Sequence, residues 1–179
     1  MEIRPLTARA DVRDAIRAHG HAWQEAYDDI VADAILDRIS TEPDAEDVDR
    51  WLDRFPEEHG VTLGVAAEGA VRGYILVRWA ETKSFVGGEE AGLKEIYVHP
   101  EWWGEGLGGE LLDAALARVP ADVIGVALEV LADNDRARGF YEARGFELSQ
   151  GGTTEIGDRT YETAIYHRTL GVTGTNRWG

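Results

Sequence analysis

The stretch Val98-His-Pro-Glu-Trp-Trp-Gly-Glu-Gly-Leu-Gly-Gly-Glu-Leu-Leu112 is where the residue types and their spacing point to chemistry. Gly104, Gly106, Gly108 and Gly109 sit between an apolar strand and an amphipathic helix. Consecutive backbone N–H groups can there face one ligand without a Cβ in the way, at the positive end of a helix dipole. Such a loop cradles a phosphate, although a tight turn with a helix cap would carry the same glycines. It is not a GxxxxGK[ST] loop, and it is not a dinucleotide fingerprint after the first strand of a doubly wound sheet. A phosphate-transfer enzyme would also need a metal-binding Asp and a phosphate lysine that the pattern does not supply. The five histidines, His19, His21, His59, His99 and His167, have no metal-ligand spacing, so no metal is assigned. The absence of cysteine removes thiolate, CxxC and Cys-acyl chemistry.

The elements that must hold this loop follow from periodicity. Met1–Leu6 alternates weakly. Val12, Ile16, Ala22, Trp23 and Tyr27 recur near a helical period that breaks around Gly20, giving two short helices or one kinked one. Helical spacing returns over Ala32–Ile39 and over Glu46–Phe55, which Pro56 ends. Val61–Ala67 and Val71–Trp79 are β-rich runs about Glu68-Gly69-Ala70, a hairpin. Glu81–Gly92 is expected to be the most mobile loop. Leu93–Val98 is a strand, Leu107–Leu116 a helix, Val123–Leu131 a strand covered on both faces and Asn134–Arg144 a helix ending at Gly145. The strand-helix-strand order implies a parallel crossover between Leu93 and Val123. Two final strands, Phe146–Glu155 and Arg159–Leu170, surround turns at Gly151-Gly152 and Gly157-Asp158. A single domain over residues 1–170 and a frayed tail from Gly171 to Gly179 are expected.

With 18 Lys and Arg against 34 Asp and Glu, the chain of 179 residues carries a net charge of −16. That opposes nucleic acids and anionic membranes. Only Lys83 and Lys94 are lysines, and the spread of carboxylates reads as adaptation to concentrated salt; an acidic face for a cationic substrate is the competing reading. No apolar run reaches the ~20 residues of a membrane-spanning helix, and the charged N-terminus is no secretory signal, so the expected location is cytoplasmic.

The sequence resembles the GCN5-related N-acetyltransferase (GNAT) family. Trp103-Gly-Glu-Gly106-Leu-Gly108 after Val98-His-Pro100 matches the family's pyrophosphate signature, and Asn134 with Ala137, Tyr141 and Gly145-Phe146 matches its late helix motif. His21-Ala-Trp23-Gln-Glu-Ala-Tyr27 is similar to its first helix. The resemblance implies an α/β fold with a mixed, mostly antiparallel central sheet, splayed parallel central strands and flanking helices. It further implies acetyl-CoA as co-substrate, with backbone groups of Ile96, Tyr97 and Val98 binding the pantetheine arm and N–H groups of Gly104, Glu105, Gly106, Leu107, Gly108 and Gly109 holding the pyrophosphate. Asn134 matches a CoA-contacting asparagine and also suits a helix N-cap.

The implied reaction is direct attack of a primary amine on the thioester in a ternary complex. It needs a base for the ammonium, a polarised carbonyl and a proton for the departing thiolate. The resemblance gives the thiolate proton to Tyr141 and the base to Glu129 or Glu95, while the Val98 N–H polarises the carbonyl. Tyr141 as a core tyrosine, Glu129 as a structural partner and Glu95 as a solvated or salt-bridged strand residue beside Lys94 are the alternatives. The acceptor is a small-molecule amine or a peptide or protein amine, and a homodimer is compatible with the family. A non-catalytic acyl-CoA-binding module is the alternative function. Two positions depart from the signature: Trp103 stands where Arg or Gln is usual, and Glu105 puts a negative charge in the loop.

Overall fold

The computed structural model describes residues 1–171; from residue 172 on, the expected tail lies outside the described residues. The elements are β1 (Glu2–Pro5), α1 (Arg9–Ala26), α2 (Asp33–Leu36), α3 (Ala45–Arg54), β2 (Gly60–Ala67), β3 (Ala70–Arg78), β4 (Glu90–Val98), a 3-10 turn (Pro100–Trp102), α4 (Leu107–Leu116), β5 (Gly125–Leu131), α5 (Asp135–Glu142), β6 (Glu147–Ile156) and β7 (Arg159–Thr169). The hydrogen-bonded strand order is β1-β2-β3-β4-β5-β7-β6, a mixed seven-stranded sheet. Two compact units divide the chain: Met1–Val77 with Lys94–Arg118, and Arg78–Leu93 with the remainder from Val119. Strand β4 contributes its C-terminal half to the first and its N-terminal half to the second.

In the first unit β1 pairs antiparallel with β2, α4 packs on β2 and β1, and α1 packs against α3. Leu6, Val12, Ala15, Ile16, Val48, Ala66, Val71 and Tyr74 form the core, flanked by Trp51, Leu52, Phe55 and Tyr97. Each large side chain buried there is worth about 1.5–3 kcal/mol. The hairpin between β2 and β3 turns on Glu68 and Gly69 with φ of 52° and 80°, the positive pair that matches the twist of its strands. Helix α3 starts on a reciprocal cap: Asp44 Oδ1 accepts from the Asp47 N–H at 2.9 Å, and Asp47 Oδ2 accepts from the Asp44 N–H at 3.0 Å.

The break expected at Gly20 does not occur; α1 runs unbroken for 18 residues. Gly20 serves a close approach instead, because a Cβ there would lie 2.1 Å from the Ser40 carbonyl oxygen. The helix expected over Ala32–Ile39 shrinks to the single turn of α2, which gives way to three-residue turns closed by Arg38 N–H to Ile35 and Ile39 N–H to Leu36. Gln24 Nε2 of α1 adds a bond to the Leu36 carbonyl at 2.7 Å.

In the second unit β4 runs parallel to β5 through Glu90↔Gly125, Ala91↔Val126 and Gly92↔Ala127, as the crossover reading required, and this pairing starts the strand three residues earlier than expected. Strand β5 also pairs antiparallel with β7, and β7 with β6. Gly151 and Gly152 lie inside β6 and form no turn; they face Ala164 and Thr163, and the register shift falls between Leu148 and Gln150. The segment Glu81–Gly92, expected to be the most mobile loop, carries several backbone bonds at its C-terminal end. Val86 N–H donates to Lys83, Gly87 N–H to Glu90 Oε1, and Ile124 N–H to Glu89.

Candidate active site

The first unit holds the glycine loop. Gly104 and Gly106 adopt φ of 83° and 84°, and open space surrounds the position a Cβ would take at each. The left-handed backbone requires glycine there and leaves the N–H groups uncovered. Gly106 is the N-cap of α4, whose first backbone bond, Glu110 N–H to Gly106 O, spans 3.1 Å. The N–H groups of Leu107, Gly108 and Gly109 therefore precede the intrahelical ladder and point along the positive end of the dipole. This nest of backbone N–H groups suits a phosphate group, and apart from the charge of Glu105 the residues fit the pyrophosphate role. Glu105 is exposed. Trp103 does not replace the charge that an arginine would bring. Its indole N–H donates to the Val98 carbonyl at 2.7 Å, bracing the loop against the end of β4. Ile96, Tyr97 and Val98 occupy the last residues of that strand, so one backbone acceptor expected to meet pantetheine already has a donor.

Below the same half of β4 lies an aromatic cluster. The His19 ring sits 5.5 Å from Trp23, 5.2 Å from Trp51 and 5.0 Å from Tyr97, and Trp51 lies 5.3 Å from Tyr74, which is 0% exposed. Glu95 reaches into this region with its side chain 15% exposed, and its Oε1 accepts from Arg54 Nη1 at 3.0 Å. Oε2 of Glu95 and Nε1 of Trp23 are buried without a protein partner. A buried acceptor and a buried donor left unmatched cost about 1–3 kcal/mol each, and in native proteins such groups mark water, ligand or catalysis. Burial pushes the Tyr74 phenol well above its usual range, with Glu95 adding to it, and burial with Tyr27 does the same for Tyr97. Burial works against the Arg54 charge, but Glu95 outweighs it and raises the guanidinium further.

His19 is pushed down to about 3 by burial, with Arg54 adding to the effect. The folded chain therefore keeps His19 neutral from about pH 3 upward, whereas an unfolded chain protonates it below its ordinary 6.5. The unfolded state binds the extra proton between those values, so stability is complete above 6.5 and falls as the pH drops toward 3, by up to about 1.4 kcal/mol per pH unit. His19→Phe removes this contribution. Urea unfolding at pH 7 and pH 4.5 is expected to show the wild type losing more stability than the variant; equal losses would show that His19 titrates normally in the fold.

The second unit holds Glu129, Tyr141 and Asn134. Both oxygens of Glu129 are engaged: Lys83 Nζ donates to Oε1 at 2.9 Å and the Thr163 hydroxyl to Oε2 at 2.9 Å. A Cβ at Gly152 would stand 3.0 Å from the Thr163 hydroxyl oxygen that donates to Oε2, so the glycine in β6 leaves that hydroxyl its room. Tyr141 is 8% exposed among the rings of Phe140, Phe146 and Tyr166. Asn134 caps α5, its Oδ1 accepting from the Ala137 N–H at 3.1 Å. A depression of about 450 Å³ lined by Gly145, Glu147, Leu148, Ser149, His167 and Thr169 contains none of these three.

Sequence reading missed Arg54. Its signal was a basic residue one helical turn after Trp51, but its carboxylate partner lies 41 residues away. Among the described residues no group of three or more His, Asp or Glu converges as a metal site, and no helix is long and apolar enough to cross a membrane.

Residues 20–146 match the model of the acetyltransferase (GNAT) family. Two L-methionine sulfoximine/L-methionine sulfone acetyltransferases, from Pseudomonas paraeruginosa and Pseudomonas aeruginosa, are each 26% identical over 152 residues, covering 84% of this chain and 87% of the relative. Among solved structures, PaiA N-acetyltransferase from Thermoplasma acidophilum in complex with coenzyme A superposes with a TM-score of 0.69 at 20% identity, over 94% of this chain and 98% of that one. A ribosomal-protein-alanine N-acetyltransferase from Brucella melitensis gives 0.69 at 19% identity, over 95% and 100%. These structural likenesses speak to the fold.

Proposed function

The chain belongs to the acetyltransferase (GNAT) family and is an acetyl-CoA-dependent N-acetyltransferase, and from that premise we propose that Glu95 is the base that prepares its acceptor amine. The observation that carries this is the contrast between two carboxylates. Glu95 keeps one buried oxygen without a partner, while both oxygens of Glu129 are taken. A base must have a lone pair within reach of the proton it removes. In this reading Glu129 ties Lys83 to β5, and its role is structural.

The co-substrate supplies an activated acetyl thioester. N–H groups from Gly104 to Gly109 bind its pyrophosphate, and β4 backbone at Ile96, Tyr97 and Val98 lies along its pantetheine, the Val98 N–H polarising the carbonyl. Tyr141 as proton donor to the leaving thiolate and Asn134 as a CoA contact complete the proposal; the Asn134 cap is compatible with both of its roles. Attack within a ternary complex leaves no covalent enzyme intermediate. The acceptor we propose is the primary amine of a small amino-acid-like molecule. Support comes from the sulfoximine and sulfone acetyltransferases, whose similarity extends over most of both chains.

A cytoplasmic location, a homodimer and avoidance of nucleic acid and membrane belong to the same reading, the last two supported by a charge of −16. The excess of 34 acidic over 18 basic residues supports adaptation to concentrated salt, where a ~3 Å screening length at 1 M relieves self-repulsion.

The test is CoA release from acetyl-CoA over a panel of amines that includes L-methionine sulfone, beside thermal unfolding with and without CoA. Turnover with at least one amine is expected, together with a rise in melting temperature from ligand bound to the native state. Gly108→Asp, an acidic residue in the first turn of α4, should leave the helix intact and abolish the CoA-induced shift. A CoA shift without turnover on any amine would favour the non-catalytic acyl-CoA-binding module. A shift that survives in Gly108→Asp would move the phosphate site elsewhere.

A further inference from the structure

We infer that Arg54 is a positioning residue of the acetyl transfer: its guanidinium, held on the Trp51 ring, takes one oxygen of Glu95 and leaves the other to receive the acceptor's proton. This rests on the reading of Glu95 as the base. The geometry has three parts. The Arg54 guanidinium carbon lies 4.7 Å from the centroid of Trp51, a cation over an aromatic face. Trp51 is in turn fixed by the rings of His19, Phe55 and Tyr74 at 5.2, 6.2 and 5.3 Å. From this platform Nη1 donates to Glu95 Oε1, and Oε2 is buried without a protein partner.

A carboxylate free to rotate presents either oxygen in several directions. One oxygen held by a guanidinium N–H narrows the range of orientations the carboxylate takes and hence the direction of the remaining lone pairs. The charge matters as well as the geometry. Arg54 from α3, Tyr74 from β3 and Tyr97 on β4 itself interact with Glu95, while His19 from α1 faces Arg54 and Tyr27, just after α1, interacts with the two phenols. Burial keeps His19 and the phenols of Tyr74 and Tyr97 uncharged at neutral pH, which leaves Arg54 as the cation facing this carboxylate. That charge strengthens the hydrogen bond that orients the carboxylate.

In the transfer, the acceptor ammonium gives one proton to Oε2; its freed lone pair forms the N–C bond to the acetyl carbon as the C–S bond breaks. The nitrogen's second proton is lost as the amide forms, the departing sulfur is protonated to the thiol, and Glu95 returns its proton to solvent.

The experiment compares wild type, Arg54→Met, Arg54→Gln and Arg54→Lys on an acceptor found in the amine panel. Both neutral variants are expected to lower kcat at neutral pH at least tenfold with the KM for acetyl-CoA unchanged. Arg54→Lys keeps a cationic donor on a differently shaped head, so kcat falls by a smaller factor, again with KM unchanged. A folded neutral variant whose kcat stays within threefold of the wild type overturns the inference, as does a loss carried by the KM for acetyl-CoA. If neither neutral variant folds, Arg54→Lys decides: unchanged kcat would show that the guanidinium positions nothing. Glu95→Gln separates the two claims, because activity retained in that variant removes the base assignment itself. Loss of activity there beside unchanged kcat in Arg54→Met removes only the role given to Arg54.

Discussion

Replacing Glu95 with glutamine is expected to lower kcat by a factor of about 10² to 10⁴, the range lost with a positioned base, while acetyl-CoA affinity and folding change little. The amide has nearly the shape of the carboxylate, and its carbonyl oxygen can still accept from Arg54 Nη1. Without the base, the acceptor must arrive already deprotonated. The residual rate should therefore climb about tenfold per pH unit below the acceptor's own pKa, a steeper dependence than that of the wild type. The measurement is a pH profile of kcat/KM for both proteins beside a CoA binding isotherm. Turnover within threefold of the wild type, with the same profile, would sink the assignment and return deprotonation to Glu129 or to bulk water.

Gly20→Ala is expected to destabilise the fold by about 1–3 kcal/mol, although alanine is the better helix former by nearly 1 kcal/mol. The sign reverses because the new methyl would stand 2.1 Å from the Ser40 carbonyl oxygen and 3.0 Å from Thr41 Cγ2. Backbone on both sides must move apart, since neither contact is the free end of a long side chain. For a chain of this size each kcal/mol corresponds to roughly 2–4 °C in melting temperature, which differential scanning calorimetry resolves. A variant as stable as the wild type or more so would mean that the 40s segment yields at no cost, and that helix propensity alone governs the position.

Gly20 also shows where sequence reading stops. A glycine within a helical period predicts a weak point from local propensity, yet its cause is a carbonyl twenty residues away. The same limit explains Gly151 and Gly152, which look like a turn and lie in a strand beside Thr163 and Ala164. Features set within a few residues were legible: the hairpin at Glu68-Gly69, the strand, glycine loop and helix from Leu93 to Leu116, and the crossover from β4 to β5. The glycine cradle was legible for the same reason, since strand, loop and helix N-terminus are contiguous in the chain. The choice between Glu95 and Glu129 was not, because it turns on which carboxylate oxygen is already occupied. Arg54, Lys83 and Thr163 decide that occupancy from 41, 46 and 34 residues away, and no periodicity encodes such partners.

On the proposed reading of the glycine loop as the pyrophosphate site, Trp103 makes it unlike one clamped by arginine. With its indole tied to Val98, the loop would offer an anion short-range peptide dipoles and a helix end in place of a mobile cation. Dissolved ions weaken attraction between full charges at a distance far more than they weaken a hydrogen bond at contact. The term that salt does alter is the repulsion between a molecule of charge −16 and a polyanionic ligand, and added ions relieve it. Rising salt would on that reading leave the acetyl donor seated, or seat it more firmly, where an arginine-held donor would loosen. An indole beside an anion would then uncouple donor capture from ionic strength.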